Sequence, residues 1–162
     1  MLRLVLQRLG LENKYETIVD REHTEILNER LISLDISGLN IETIPTGIFD
    51  ELQELVYLDL SNNNIYDVSP TTFKFLSNLE YLNFSGNRIL RIRSGIFKGL
   101  SNLKILKFSD NQIDFLDDDI FDDIEHLDIL DISNNNIEYL PASLEELDVE
   151  EFNISQNPLK FA

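Results

Sequence analysis

The 162-residue chain carries 13 Lys and Arg against 30 Asp and Glu, a formal charge of −17, with 43% hydrophobic residues and no cysteine. Such a composition supplies the core of one domain, while the charge repels phosphate backbones and anionic lipid, so nucleic acid and membrane are excluded as expected partners. Without cysteine there are no disulfides, thiolate metal sites or cysteine nucleophile.

Residues 1–30 open with MLRLVLQRLGLENK, where Arg3 and Arg8 interrupt the apolar residues. No signal-peptide core or cleavage site follows, and no stretch approaches the ~20 apolar residues of a membrane span. Lack of a signal and of cysteine leans toward an intracellular compartment. Apolar islands at Leu2–Leu6, Thr17–Val19 and Ile26–Leu27 in this Glu- and Arg-rich segment predict an N-terminal cap.

From Leu31 the chain repeats. Rows begin at Leu31, Leu55, Leu79, Leu103 and Leu127, 24 residues apart, and a partial row begins 22 residues later at Val149, giving a capping region 1–30 and repeats 31–162. The shared pattern is LxxLxLxxNxIxxI. Its fourth column holds Leu34, Leu58, Leu82, Leu106, Leu130 and Phe152, and its sixth holds Ile36, Leu60, Phe84, Phe108, Ile132 and Ile154. Alternation of this kind predicts a short half-buried strand. A phenylalanine column follows at Phe49, Phe73, Phe97 and Phe121. No single row buries so many apolar groups alone, so the rows must stack around one core.

The ninth column explains a doubled motif, LDLSNNNI at Leu58–Ile65 and LDISNNNI at Leu130–Ile137. It reads Leu39, Asn63, Asn87, Asn111, Asn135 and Asn157, so only the middle asparagine of each triplet is periodic. Where a strand ends beside a core, backbone groups need partners, and a short amide offers both donor and acceptor. Leu39 departs from the pattern where the ladder begins. For the flanking Asn62, Asn64, Asn134 and Asn136, drift in exposed columns is sufficient explanation.

These columns resemble the leucine-rich repeat family, in particular its 24-residue "typical" subclass with a phenylalanine spine, over residues 31 to about 159. The resemblance implies an α/β solenoid: a horseshoe with a short-stranded parallel sheet on the concave face, loops or short helical turns on the convex face, and a protein-binding role. The fifth row is two residues short and has Glu145 in the phenylalanine column, predicting a tighter convex side there.

In that geometry the x positions of the strand project from the concave sheet. The third column, Ser33, Tyr57, Tyr81, Ile105, Ile129 and Glu151, carries four large apolar side chains in succession on a face the core does not need. Tyrosines are common contact anchors, although cross-strand pairing stabilises a sheet by roughly 0.2–1 kcal/mol per pair without any partner. Tyr57, Tyr81, Ile105 and Ile129, flanked by Asp59, Lys107 and Asp131, are therefore the candidate partner-binding residues. The expected ligand is a protein or peptide with a basic patch and an apolar knob.

Catalysis is not expected. Six serines at Ser37, Ser61, Ser85, Ser109, Ser133 and Ser155 form a ladder rather than a unique nucleophile. His23 lies in the cap and His126 at the turn before Leu127, each reading as a surface residue without a metal-ligand partner at useful spacing. The acidic run from Asp114 to Asp131 lacks a calcium-loop pattern and reads as a solvated convex face. No cofactor or metal is expected. Arg88, Arg91, Arg93 and Lys98 form a basic cluster, and column alignment sets Asp67 beside Arg91 and Asp117 beside Arg93. Sequons at Asn83 and Asn153 follow from the repeat register. The leading expectation is a recognition module; the alternative is a self-assembling unit that dimerises through a C-terminal edge ending in Leu159, Phe161 and Ala162.

Overall fold

A computed structural model describes residues 1–160. Each row makes one turn of an α/β solenoid, because its leucine columns can be shielded only by the rows on either side. In chain order the elements are α1 (Leu2–Arg8), α2 (Tyr15–Val19), β1 (Glu25–Leu27), β2 (Arg30–Asp35), β3 (Tyr57–Asp59), β4 (Tyr81–Asn83), β5 (Arg91–Ile92), β6 (Ile105–Lys107), β7 (Phe115–Leu116), β8 (His126–Asp131) and β9 (Asp148–Asn153). Strands β2, β3, β4, β6, β8 and β9 pair in parallel, with β1 antiparallel on the β2 edge. Phe161 and Ala162, which the sequence places at an open edge, lie outside the described residues.

Register follows the 24-residue period: Leu34 pairs with Leu58, Leu58 with Leu82, Leu82 with Leu106 and Leu106 with Leu130. All five are fully buried, as are the four phenylalanines of the spine. Phe49 stacks on Phe73 at 6.3 Å and Phe97 on Phe121 at 6.1 Å. Each such side chain contributes roughly 1.5–3 kcal/mol by burial, so the core is a column of equivalent layers.

The asparagine ladder binds these layers together. Asn63 Oδ1 accepts the N–H groups of Leu39 (2.9 Å) and Ile41 (3.0 Å), while its Nδ2 donates to the carbonyls of Ile36 and Leu60 at 2.9 Å each. Asn87, Asn111, Asn135 and Asn157 repeat the arrangement, each accepting from the preceding row and donating to carbonyls of both rows. The bonds run backward along the chain, which is why Leu39 needs no amide.

One expectation is corrected here. Asn62 and Asn134 are not drift: they sit at φ of +54° and +52°, in the same eighth column as Gly38, Gly86, Asp110 and Gln156, all of which have positive φ. A left-handed residue costs ~1–2 kcal/mol unless it is Gly or, at lower cost, Asn or Asp. The first asparagine of each triplet therefore turns the chain, and the second ties the turn down. Asn64 and Asn136 have ordinary φ and no such role.

The convex side consists of turns, with a 3-10 helix at Ala142–Glu145 in the short fifth row. There Ser143 Oγ accepts the Phe121 N–H at 3.1 Å. Unforeseen from the sequence is a second, two-stranded parallel sheet of β5 and β7, pairing Arg91 with Phe115 and Ile92 with Leu116. Ile92 and Leu116 are buried beneath it. At the other end, Leu2, Val5 and Leu6 of α1 and Ile18 of α2 join the same core. No helix among the described residues is long and apolar enough to cross a membrane.

Candidate recognition face

The concave sheet brings the third-column residues together in register. Tyr57 pairs with Tyr81, Tyr81 with Ile105, Ile105 with Ile129 and Ile129 with Glu151. The tyrosine rings are parallel within 9° at 4.2 Å between centroids. All four side chains of the stripe are half-buried, since each covers part of its neighbour. Burial pushes both phenol pKa values up, and the mutual contact and the Asp59 carboxylate push that of Tyr57 further, so the hydroxyls stay protonated. The ladder extends one ring beyond the sequence expectation: His23 stacks on Tyr57 at 5.2 Å. No column contains His23, because the segment after α2 carries it across the edge of the sheet.

The fifth column has a local role as well. Asp59 Oδ1 accepts the Ser61 N–H at 2.8 Å, and Asp131 Oδ1 accepts the Ser133 N–H at 3.0 Å and hydroxyl at 2.6 Å. Asp35, Asn83 and Asn153 close the same two-residue turn. The sequon amides are thus part of strand-end turns. Lys107 cannot accept, and on its row Ser109 donates to Ser85 Oγ at 3.1 Å instead. The serine column is engaged in these strand-end bonds.

At the first rung Arg21 Nη1 donates to Asp35 Oδ1 (2.8 Å) and to the Ser37 carbonyl (2.8 Å). Burial alone would raise the Asp35 pKa; the Ser37 hydroxyl and N–H, together with Arg21, outweigh it and hold the carboxyl below its ordinary range. With Asp35 engaged by Arg21, the candidate stripe starts at Tyr57 and Asp59.

Two regions outside the stripe were not legible by column. On the flank after the asparagine ladder, Tyr66, Leu90, Phe115 and Tyr139 are 56%, 51%, 53% and 64% exposed, more open than any residue of the concave stripe. The basic cluster adjoins them, with one contact differing from expectation: Arg93, not Arg91, pairs with Asp67 at 3.5 Å. Asp117 is already used, accepting the Ser94 N–H at 2.7 Å. In the acidic run, Asp118, Asp119, Asp122 and Asp123 are exposed.

The second region surrounds His126. Local spacing offers it no metal-ligand set, but the turn of the solenoid sets Asp148 and Glu150 beside it. Hydrogen bonds that its ring N–H groups donate to the Asp148 and then the Asp128 carboxylate raise its pKa above the ordinary 6.5.

A family model described as leucine rich repeat matches residues 29–89, 77–137 and 109–159. The leucine-rich repeat domain of APL1B superposes with a TM-score of 0.71 at 23% identity, covering 95% of this chain and 41% of that one. The ectodomain of the receptor kinase SOBIR1 from Arabidopsis thaliana gives 0.67 at 22% identity, covering 98% of this chain and 92% of that one. The Arabidopsis receptor kinase HAESA ectodomain, solved with an extended IDA peptide hormone, gives 0.73 at 22% identity, covering 99% of this chain and 30% of that one. The chain spans less than half the length of the APL1B and HAESA domains, and at these identities the likeness is one of fold. No curated protein matches significantly in sequence.

Proposed function

The chain belongs to the leucine-rich repeat family, and from that premise we propose that it is a non-enzymatic recognition module whose concave face binds a protein or peptide. The observation carrying this reading is the in-register stripe of Tyr57, Tyr81, Ile105 and Ile129, led by two stacked rings. Six strands about 4.8 Å apart present ~24 Å of sheet, enough for a contact of roughly 800 Å² per partner. Asp59, Asp128, Asp131, Glu150 and Glu151 surround the stripe against Lys104 and Lys107, favouring a ligand with a basic patch and an apolar knob. The solved HAESA complex with a peptide hormone gives a fold-level precedent for a peptide ligand. Residues 1–30 act as the cap and 31–162 as the binding array.

Parallel capture experiments test this reading, with the intact protein and a Tyr57→Ser/Tyr81→Ser/Ile105→Ser/Ile129→Ser variant of verified fold as baits. Partners retained by the intact protein and lost by the variant support it; equal capture by both moves the interface off the concave face.

A second reading, self-association through the β9 edge, draws on Phe152, which stands in the buried leucine column yet is 40% exposed. A molar mass by light scattering that stays monomeric across concentrations counts against it.

A further inference from the structure

His126 Nδ1 lies 2.9 Å from Asp148 Oδ2, and its Nε2 lies 3.1 Å from Asp128 Oδ1 and 3.9 Å from Glu150 Oε1. One ligand atom from each of His126, Asp128 and Glu150 lies within 4.8 Å of the others. Nitrogen and oxygen ligands at ~2.0–2.2 Å from a zinc-like ion stand ~3–3.5 Å from one another. Glu150 is exposed and Asp128 half-buried, and both would have to turn toward an ion to close the set around it. We propose that His126, Asp128 and Glu150 form a binding site for a divalent transition-metal ion of the zinc type, with Asp148 orienting the imidazole.

The imidazole sets this cluster apart from the acidic surface. The chain has 30 acidic residues, yet among the described residues no other grouping of His, Cys, Asp or Glu converges at ligand spacing. The exposed carboxylates of Asp118, Asp119, Asp122 and Asp123 do not. When Nδ1–H is given to Asp148, the lone pair of Nε2 faces Asp128 Oδ1 at 3.1 Å. Two acceptors at that separation require a cation between them, a proton or a metal. A carboxylate behind a ligating histidine fixes the tautomer and raises ligand basicity. The mixed nitrogen and oxygen donors favour zinc-like ions over magnesium or calcium, which take oxygen shells. Three protein ligands leave the remaining coordination positions to water. Asp128 lies on β8 and Glu150 on β9, so the ion would fasten the most exposed strand of the parallel array to its neighbour.

The test is calorimetric titration of tag-free protein with Zn²⁺, with Ca²⁺ and Mg²⁺ in parallel. One Zn²⁺ per chain is expected, with saturable binding lost in His126→Gln and weakened ~10–100-fold in Asp148→Asn. An Asp122→Asn/Asp123→Asn variant should bind as the parent does. Hydrogen exchange across Asp148–Asn153 should slow on adding Zn²⁺ to the parent and stay unchanged in His126→Gln, provided circular dichroism shows both folded. Absence of stoichiometric binding, undiminished affinity in His126→Gln, or equally tight Ca²⁺ binding would overturn the proposal.

Discussion

The two ends of the solenoid contain similar residues in different surroundings. At the first repeat, Leu2, Val5, Leu6 and Ile18 of the helical segment are all buried against the leucine column. At β9, Phe152 occupies that same column and is 40% exposed, and Ile154 is only half-buried. Side-chain type is nearly constant down a column; what differs is whether another layer covers it among the described residues. In a stacked array a residue's energetic weight is set by its neighbours on both sides.

Truncation separates the ends most sharply. Leu6→Ala, at 0% exposure, should lower unfolding free energy by about 2–5 kcal/mol, whereas Phe152→Ala should cost about 1–2 kcal/mol, because 40% of that side chain is already exposed. Urea titrations of the two variants measure the gap; equal losses would mean that β9 is covered in solution. The amide ladder gives the next contrast. Asn63→Ala strips partners from buried groups of two rows and should cost ~3 kcal/mol, against ~1 kcal/mol for the half-buried Asn157→Ala.

A pH series sharpens the comparison at the N-terminal end alone. The folded pKa of Asp35 lies below its ordinary 3.8, so its contribution is fully present above that value and is lost as pH falls through the folded pKa. The difference in urea midpoint between parent and Asp35→Asn should be constant above pH 4 and shrink below it; a difference that grows in acid would contradict the Arg21–Asp35 geometry. The smallest effect concerns the left-handed column. Asn62→Val should cost ~1–2 kcal/mol, while Gln156→Gly in the last row should be neutral or mildly stabilising by thermal melting.

The array was legible because its signals repeat. Six asparagines or their substitutes in one column, beside two apolar columns, point to stacked turns whatever any single row does. The left-handed column escaped because Gly38, Asn62, Gly86, Asp110, Asn134 and Gln156 share a backbone conformation rather than a chemistry. The β5–β7 ladder escaped because its strands are two residues long. At the candidate face, the stripe of Tyr57, Tyr81, Ile105 and Ile129 could be placed from spacing, since register follows period. That His23 extends it, and that Asp148 and Glu150 stand beside His126, depends on where the cap segment and a shortened row bring distant residues, and local spacing carries no trace of either.

The backward direction of the amide ladder bears on how the chain is made. The Leu39 and Ile41 N–H groups wait for Asn63, and that of Ile137 waits for Asn157. During synthesis the helical segment and first row emerge before the residue that completes them, so every row stays partly unpaired until its successor leaves the ribosome. Pulse-labelled exchange on stalled chains should find Leu39 and Ile41 protected once Asn63 is exposed, well before Ile137. Synthesis and hydrogen-bond completion then proceed in the same direction, and the array closes turn by turn from its first layer outward.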